Sequence, residues 1–164
     1  MTKLQDKVAV ITGGTKGIGL GIASEFVKEG AKVVIGGRNP ETGNEGVAEL
    51  EQLGGQALFV QCDVGDLDSL DNIINKAVEH FGRLDIYVAN AGINDPDKTH
   101  FLDITPDQYD KIMDINLRGM FFGGQKAAKQ MVKQGEGGVL INMSSVNAHL
   151  ALDSQMVYTT SKGG

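Results

Sequence analysis

A tyrosine and a lysine lie four positions apart in the stretch YTTSK, which runs from Tyr158 to Lys162. On a helix, residues i and i+4 share one face, so the lysine ammonium would lie beside the tyrosine phenol. A positive charge at that distance favours the phenolate. A tyrosine in this setting can donate a proton to a ketone oxygen or accept one from an alcohol. Because such pairs are also common on helix surfaces, this pair alone does not establish a catalytic site.

A serine thirteen residues before Tyr158 is a second candidate for the same chemistry. Ser145 follows a predicted strand and can form a hydrogen bond to the same substrate oxygen. Ser144 is the neighbouring alternative. Because side chains alternate along a strand, we expect only one of the two serines to face the site.

Three glycines, Gly13, Gly17 and Gly19, form a GxxxGxG turn between the first predicted strand and the first predicted helix. Glycines let the backbone approach a pyrophosphate, and the helix N-terminus supplies free N–H groups and a positive dipole end. Ligands of parallel sheets bind at the carboxyl ends of the strands, where this turn lies. The turn therefore predicts a dinucleotide site, although any strand-to-helix turn can use glycine. The contacts that we expect here are Gly13, Thr15, Lys16, Gly17, Ile18 and Gly19.

The residues after the second predicted strand indicate which dinucleotide binds. Proteins that choose NAD usually place an acid there for the ribose 2′-hydroxyl. Here Gly37 leaves no carboxylate, and Arg38 offers a planar guanidinium for a 2′-phosphate. Lys16 adds a second cation. We therefore expect NADP(H), and the nearby acid Glu41 keeps NAD(H) as the alternative.

Two further strand ends are expected to contact the cofactor. Asp63 follows the third predicted strand and could accept a hydrogen bond from the adenine amino group or cap the following turn. The stretch ANAG ends the fourth predicted strand, and its small residues let the backbone pass close to the cofactor or simply pack tightly. The contacts that we expect are Asp63, Val64, Asn90, Ala91 and Gly92.

The composition is that of a globular protein, with 164 residues, 41% hydrophobic and 22% charged. A net charge of −6 without a basic cluster argues against nucleic acid and anionic membranes as partners. The N-terminal apolar run is too short for a signal peptide or a membrane span, so we expect a cytoplasmic protein. Cys62, the only cysteine, is expected to be a packed residue. The scattered histidines predict no metal site.

Apolar runs alternate with helical patterns along the whole chain. The predicted strands are KVAVIT, KVVIG, ALFVQ, LDIYVA and GVLINMS. The predicted helices cover 18–30, about 44–53, 70–81, 105 to about 133, and a last segment from about 155. Because each strand is almost wholly apolar, we expect a parallel sheet covered on both faces. The predicted fold class is a doubly wound, Rossmann-like α/β sheet that forms a single domain over residues 1–164.

Together these motifs resemble the short-chain dehydrogenase/reductase family, in the same order and over the whole chain. The stretch TGGTKGIG at 12–19 resembles the TGxxxGxG turn of that family, NAG at 90–92 its fourth-strand motif, and DIN at 114–116 its long-helix asparagine. Ser145 and YTTSK match its serine and YxxxK elements. The spacing of the turn points away from the extended, sugar-epimerase branch. Ala89 is a mild departure, because the family often has asparagine there.

The resemblance implies hydride transfer between a nicotinamide cofactor and a ketone or secondary alcohol. Tyr158 would be the general acid/base and would also contact the cofactor, and Lys162 would tune Tyr158 and hold the nicotinamide ribose. Ser145 would orient the substrate oxygen, and Asn116 would hold a water linking Lys162 to solvent through a local helix distortion. The alternatives are a 3-oxoacyl thioester reductase of the same family and a non-catalytic dinucleotide-binding protein. The presence of all four residues favours the enzyme.

The resemblance also implies a homo-oligomer, a tetramer or a dimer, that pairs through the helices after the fourth and fifth strands. Its substrate would be a small carbonyl or alcohol. Family members continue well beyond the position of Gly164, with further strands and a substrate lid. We therefore expect a chain truncated at its C-terminus, which carries the cofactor half and the four catalytic residues but lacks most of the substrate site.

Overall fold

The computed structural model describes residues 2–95, 97–150 and 152–164. Within them, five parallel strands form one sheet in the order β3-β2-β1-β4-β5. The strands are β1 (Val8–Thr12), β2 (Lys32–Gly37), β3 (Gln56–Gln61), β4 (Ile86–Ala89) and β5 (Val139–Asn142). The α-helices are α1 (Gly17–Lys28), α2 (Pro40–Gln52), α3 (Leu67–Phe81), α4 (Pro106–Met113), α5 (Gly119–Gln134) and α6 (Met156–Gly163). The predicted doubly wound α/β fold is confirmed.

The core lies on both faces of the sheet. On one face Val8 and Val10 of β1 belong to a cluster that includes Leu70 and Ile73 of α3 and Met131 of α5. On the other face, Ala9 and Ile11 of β1 pack in a cluster with Ala23 and Val27 of α1 and Leu50 of α2. Successive side chains of a strand point to opposite faces, so a strand covered on both sides must be apolar at every position. This is why the three inner strands, β1, β2 and β4, read as nearly continuous apolar runs.

The helix α2 begins at Pro40, so the prediction of a start near Asn44 was wrong. The side chain of Asn39 caps the helix by accepting hydrogen bonds from the N–H groups of Glu41 and Thr42. Pro40 occupies the first turn, where its missing N–H removes no helical hydrogen bond. The Asn-Pro pair was the signal for this helix start. Apolar periodicity could not show the start, because the first turn of the helix is polar.

The long helix predicted from Thr105 is present with one interruption. Thr105 caps α4 in a reciprocal arrangement with Gln108. A π-helical segment, Asp114–Arg118, then leads into α5. Such a segment inserts one extra residue into a helical turn and is frequent at functional sites. It contains Asn116, which is 1% exposed, so the predicted local helix distortion is confirmed.

Asp85 lies just before β4 and links this strand to β1. Its carboxylate accepts hydrogen bonds from the Val8 N–H at 2.9 Å and from the Arg83 guanidinium at 2.8 and 2.6 Å. Lys7 Nζ lies 3.6 Å from the same carboxylate. Burial raises the pKa of the Asp85 carboxyl, but these donors outweigh burial and hold the pKa below its ordinary value. The ionised Asp85 carboxylate therefore stabilises the fold at neutral pH. This stabilisation is lost as the pH falls through the lowered pKa.

We expect Asp85→Asn to lower the free energy of unfolding at neutral pH by about 1–3 kcal/mol, because it removes the charge from these hydrogen bonds. The difference from the wild type should shrink in acid, since the wild-type carboxyl becomes neutral there. Urea unfolding at neutral and progressively lower pH measures both effects. Glu79→Gln, which removes one partner of an exposed pair with Lys76, is the control and should change little. A difference that persisted undiminished in acid would contradict the role assigned to the charge.

Candidate active site

A cavity of about 440 Å³ lies at the carboxyl ends of the strands. The structure brings to its wall all the residues expected in the glycine turn and after the second, third and fourth strands: Gly13, Thr15, Lys16, Gly17, Ile18, Gly19, Arg38, Asp63, Val64, Asn90, Ala91 and Gly92. Ile93 and Ile115 also line it, although the sequence analysis did not single them out. Ile115 lies in the π-helical segment, whose position relative to the sheet no local pattern predicts.

The glycine turn depends on left-handed backbone at two glycines and on close contacts at Gly13 and Gly19. Gly13 and Gly17 have φ angles of +63° and +56°, in the left-handed region that glycine adopts readily. A Cβ on Gly19 would overlap the carbonyl oxygen of Gly13 and would lie 2.6 Å from Asn90 Nδ2. The described residues provide no side-chain cap at the start of α1. The N–H groups at this helix start can therefore bind an anion.

Thr12 and Asn90 hold the glycine turn against the end of β4. Asn90 Nδ2 donates to the carbonyl oxygens of Thr12 and Gly13 at 3.0 and 3.1 Å. In return, Thr12 Oγ1 accepts hydrogen bonds from the N–H groups of Asn90 and Ala91. The side chain of Asn90 therefore holds the glycine turn in place, a role that the sequence analysis did not predict. Both residues lie at strand ends, but only the folded sheet places them together.

Two cations lie on the wall of the first cavity. Arg38 and Lys16 both line it. Among the described residues, neither cation forms an ion pair with a carboxylate, so both charges are available to a ligand. Glu41, the acid that kept NAD(H) as an alternative, is not part of the cavity wall. The residues present therefore fit a dinucleotide with an additional phosphate near Arg38.

Asp63 takes part in the turn and also lines the cavity. Its Oδ1 accepts a hydrogen bond from the Gly65 N–H at 3.0 Å, which is the turn-capping alternative. The same side chain lies on the cavity wall, where a carboxylate oxygen can accept a hydrogen bond from an adenine amino group. The two alternatives left open by the sequence are compatible with each other.

A second cavity, of about 420 Å³, adjoins the first and shares wall residues with it, among them Ile18, Asn90 and Gly92. The structure brings Ser145, Tyr158 and Lys162 together on its wall. Other wall residues are Asn94, Met143, Ser144, Asn147 and Gln155. The residues Ser145, Tyr158 and Lys162 thus line a space next to the first cavity.

Both serines line the second cavity, so the prediction that only one would face the site was wrong. The reason is that β5 ends at Asn142, before the serines, and strand alternation does not extend to them. Ser144 Oγ donates its proton to the carbonyl oxygen of Lys162 at 3.0 Å. Ser145 Oγ accepts a hydrogen bond from the Asn147 N–H at 3.2 Å, and its own proton has no acceptor among the described residues. Ser145 is therefore the serine that can donate to a substrate.

The ammonium of Lys162 is partly withdrawn from water. Its Nζ donates to the carbonyl oxygen of Met143 at 2.7 Å and lies 5.9 Å from the centre of the Tyr158 ring. Burial lowers the pKa of Lys162. No carboxylate pairs with Lys162 among the described residues. The uncompensated charge therefore acts on the phenol and on any group that enters the cavity.

Asn116 joins the loop after β4 to α6. Its Oδ1 accepts from the Ile93 N–H at 2.8 Å, and its Nδ2 donates to Ile93 O at 2.8 Å and to Ser161 Oγ at 3.0 Å. Ser161 Oγ in turn donates to Tyr158 O at 2.7 Å. The side chain of Asn116 thus fixes the helix that carries Tyr158. The water relay assigned to this residue stays a prediction. Ser161 was missed, because only the fold places it opposite Asn116.

Comparison with known proteins decides the family. The family model described as short chain dehydrogenase matches residues 7–164. The chain belongs to this family. It is 40% identical over 165 residues to an L-rhamnose 1-dehydrogenase (NAD(P)(+)) of Azotobacter vinelandii, covering 98% of this chain and 64% of that protein. It is also 40% identical over 163 residues to a versicolorin reductase of Emericella nidulans, covering 98% of this chain and 60% of that protein.

Solved structures agree with this assignment. The crystal structure of a short chain dehydrogenase from Mycobacterium smegmatis superimposes with a TM-score of 0.95 at 32% identity. The superposition covers 100% of this chain and 68% of that one. This short-chain dehydrogenase chain therefore spans less than two thirds of the two curated relatives and about two thirds of the solved structure.

The part of the chain that the structure describes offers neither a metal centre nor a membrane-spanning helix. There, no group of three or more His, Cys, Asp or Glu side chains could hold a metal ion. No helix in the same residues is long and apolar enough to span a bilayer. Burial raises the pKa of Cys62 to about 11, so its thiol is protonated at neutral pH and is a poor nucleophile. The prediction that Cys62 is a packed residue is confirmed.

Proposed function

We propose that residues 1–164 form the cofactor-binding and catalytic domain of an NADP(H)-dependent oxidoreductase. The reaction is hydride transfer between nicotinamide and a ketone or secondary alcohol. One observation carries this proposal: the cavity that holds Ser145, Tyr158 and Lys162 shares its wall with the cavity that fits a dinucleotide. A substrate in the second cavity would therefore lie beside a cofactor in the first.

When bound, the dinucleotide supplies the hydride acceptor or donor at its nicotinamide ring. In the direction of reduction, Tyr158 donates its phenolic proton to the substrate oxygen, which gains charge as the hydride arrives. Ser145 donates a second hydrogen bond to the same oxygen, since its hydroxyl proton is free of protein acceptors. In the direction of oxidation, the Tyr158 phenolate removes the hydroxyl proton of the alcohol. The Tyr158 hydroxyl thus transfers the proton to or from this oxygen, and the Ser145 hydroxyl forms a hydrogen bond to it.

Lys162 supplies a positive charge beside Tyr158. Its half-buried ammonium lies 5.9 Å from the centre of the Tyr158 ring and has no carboxylate partner in the described residues. Its remaining N–H groups can donate to ribose hydroxyls of the cofactor. Asn116 acts as a positioning residue, because its amide bonds to Ile93 and Ser161 hold the loop and the helix on either side of the site.

The remaining partners are proposed from the family and from the surface. We propose a homodimer or homotetramer in the cytoplasm that acts on a small molecule and has no nucleic-acid or membrane partner. Apolar side chains exposed on the long helix support self-association: Tyr109 of α4 is 42% exposed, and Phe121 of α5 is 63% exposed. Pairing of such helices would cover these side chains.

Mixing the complete protein with NADPH and a panel of ketones, aldehydes and 3-oxo esters tests the proposal. We expect NADPH oxidation with at least one carbonyl, and the reverse reaction with the matching alcohol and NADP⁺. Fluorescence titration with NADPH in the absence of substrate gives the dissociation constant independently. NADPH binding without turnover of any carbonyl or alcohol would support the non-catalytic alternative and overturn the proposal.

Arg38→Asp tests the choice of cofactor. We expect the ratio of kcat/KM for NADPH to that for NADH to fall at least about tenfold, because a charged hydrogen bond to the 2′-phosphate is replaced by charge repulsion. Steady-state kinetics with both cofactors measure the ratio. Lys129→Asp makes the same change of charge on the exposed face of α5 and should leave the ratio unchanged. An unchanged ratio in Arg38→Asp would show that Arg38 does not contact the 2′-phosphate.

A further inference from the structure

Two interlocked amides on the wall of the second cavity have no part in the hydride transfer proposed above. Asn147 Nδ2 donates to Gln155 Oε1 at 2.6 Å. Both residues line the cavity together with Ser145 and Tyr158. Asn147 is 8% exposed, and Gln155 is half-buried. We call these two side chains the amide pair.

The amide pair leaves one oxygen atom, Asn147 Oδ1, and one nitrogen atom, Gln155 Nε2, outside the bond between the two side chains. The bond between the two side chains uses the carbonyl oxygen of Gln155 and one N–H of Asn147. Among the described residues, neither Asn147 Oδ1 nor Gln155 Nε2 has a protein partner. Neither atom is enclosed, because Thr159 Oγ1 is the only fully buried side-chain nitrogen or oxygen without a partner in the described residues. An apolar substrate packed against the pair would take water from both groups and replace none of their hydrogen bonds.

The amide pair connects the two segments that carry the reacting hydroxyls. Asn147 follows Ser145 by two residues, and its N–H donates to Ser145 Oγ. Gln155 precedes Tyr158 by three residues, just before the first residue of α6. A substrate whose oxygen contacts both Ser145 and Tyr158 therefore lies in the cavity that the amide pair also lines.

We propose that the amide pair binds a second hydroxyl group of the substrate, on the carbon next to the reacting one. The substrate class is then a vicinal diol or an α-hydroxyketone, as in polyols and sugars. A hydroxyl can donate to Asn147 Oδ1 and accept from Gln155 Nε2, whereas a carbonyl only accepts and leaves Asn147 Oδ1 unpaired. The amide pair therefore favours a hydroxyl over the thioester carbonyl of a 3-oxoacyl substrate. This inference rests on the proposed oxidoreductase function.

Oxidation of cyclohexane-1,2-diol and of cyclohexanol by the complete protein with NADP⁺ tests the inference. We expect kcat/KM for the diol to exceed that for cyclohexanol at least about tenfold, because a site built to bind a hydroxyl discriminates against its absence. Gln155→Met removes the donor and should bring the ratio close to one. Gln155→Glu also lacks the donor but keeps an acceptor for Asn147, so it should lower the ratio without breaking the pair. Gln125→Met on the exposed face of α5 is the control, and its ratio should equal that of the wild type.

A second comparison and a binding measurement separate this inference from the proposed function. Reduction of ethyl acetoacetate in preference to acetoin with NADPH would overturn the inference, as would equal oxidation of the two alcohols by the wild type. In both cases the oxidoreductase function would stand. Calorimetric titration of the two alcohols in the presence of NADP⁺ does not need turnover. Binding selective for the diol and lost in Gln155→Met would support the amide pair as the hydroxyl site even without oxidation of either alcohol, and the absence of turnover would then count against the oxidoreductase function.

Discussion

Tyr158→Phe is expected to lower kcat for carbonyl reduction by about 10²- to 10⁴-fold, which is the usual contribution of a positioned general acid. The substitution removes one oxygen atom and keeps the ring, so the dissociation constant for NADPH should stay almost unchanged. Steady-state turnover and a fluorescence titration with NADPH measure the two quantities separately. A fall in kcat at constant cofactor affinity places the loss in the proton transfer and not in the assembly of the site.

The chain offers a matched control for this substitution. Tyr109 is another partly exposed tyrosine, on α4, and it lines a separate apolar groove with Phe101 and Met156. Tyr109→Phe should therefore keep the wild-type kcat. If Tyr158→Phe kept more than about a tenth of the wild-type rate, a second acid would have to supply the proton. Ser145 and Lys162 are the groups in the same cavity that could do so.

The sequence predicted the sheet because its physical signal is local. A strand covered by helices on both faces has to be apolar at each covered position, and β1 and β2 show this in the four-residue stretches VAVI and VVIG. Parallel strands joined by right-handed helical connections leave few possible arrangements. The carboxyl ends of the strands must then meet at one edge of the sheet. Residues as far apart as Gly13, Arg38 and Asn90 were therefore expected in one cavity, and they line one.

The parts of the site that sequence reasoning missed depend on contacts between distant segments. Asn116 and Ser161 share a hydrogen bond across forty-five positions, and nothing near either residue in the sequence indicates it. The bond between Asn147 and Gln155 depends on how the loop after β5 folds back onto the start of α6. Expecting alternation at Ser144 and Ser145 failed for the same reason, since the end of β5 is set by its pairing with β4.

Gly19→Ala is expected to lower the free energy of unfolding by about 1–3 kcal/mol, the usual cost of overpacking a tight interior. A Cβ at this position overlaps the Gly13 carbonyl oxygen and crowds Asn90 Nδ2. The turn must therefore open, and we expect the affinity for NADPH to fall at least about tenfold, which corresponds to about 1.4 kcal/mol. Urea unfolding and fluorescence titration measure the two losses.

Gly21→Ala makes the same chemical change two residues later in α1, where a Cβ has no neighbour within 4 Å. There alanine should raise the free energy of unfolding by about 0.5–1 kcal/mol, because glycine weakens a helix interior. Opposite signs at Gly19 and Gly21 would show that the glycine at position 19 is required by the approach of Gly13 and Asn90, and not by the helix. If Gly19→Ala bound NADPH as tightly as the wild type, the close packing of this turn would not be what shapes the cofactor site.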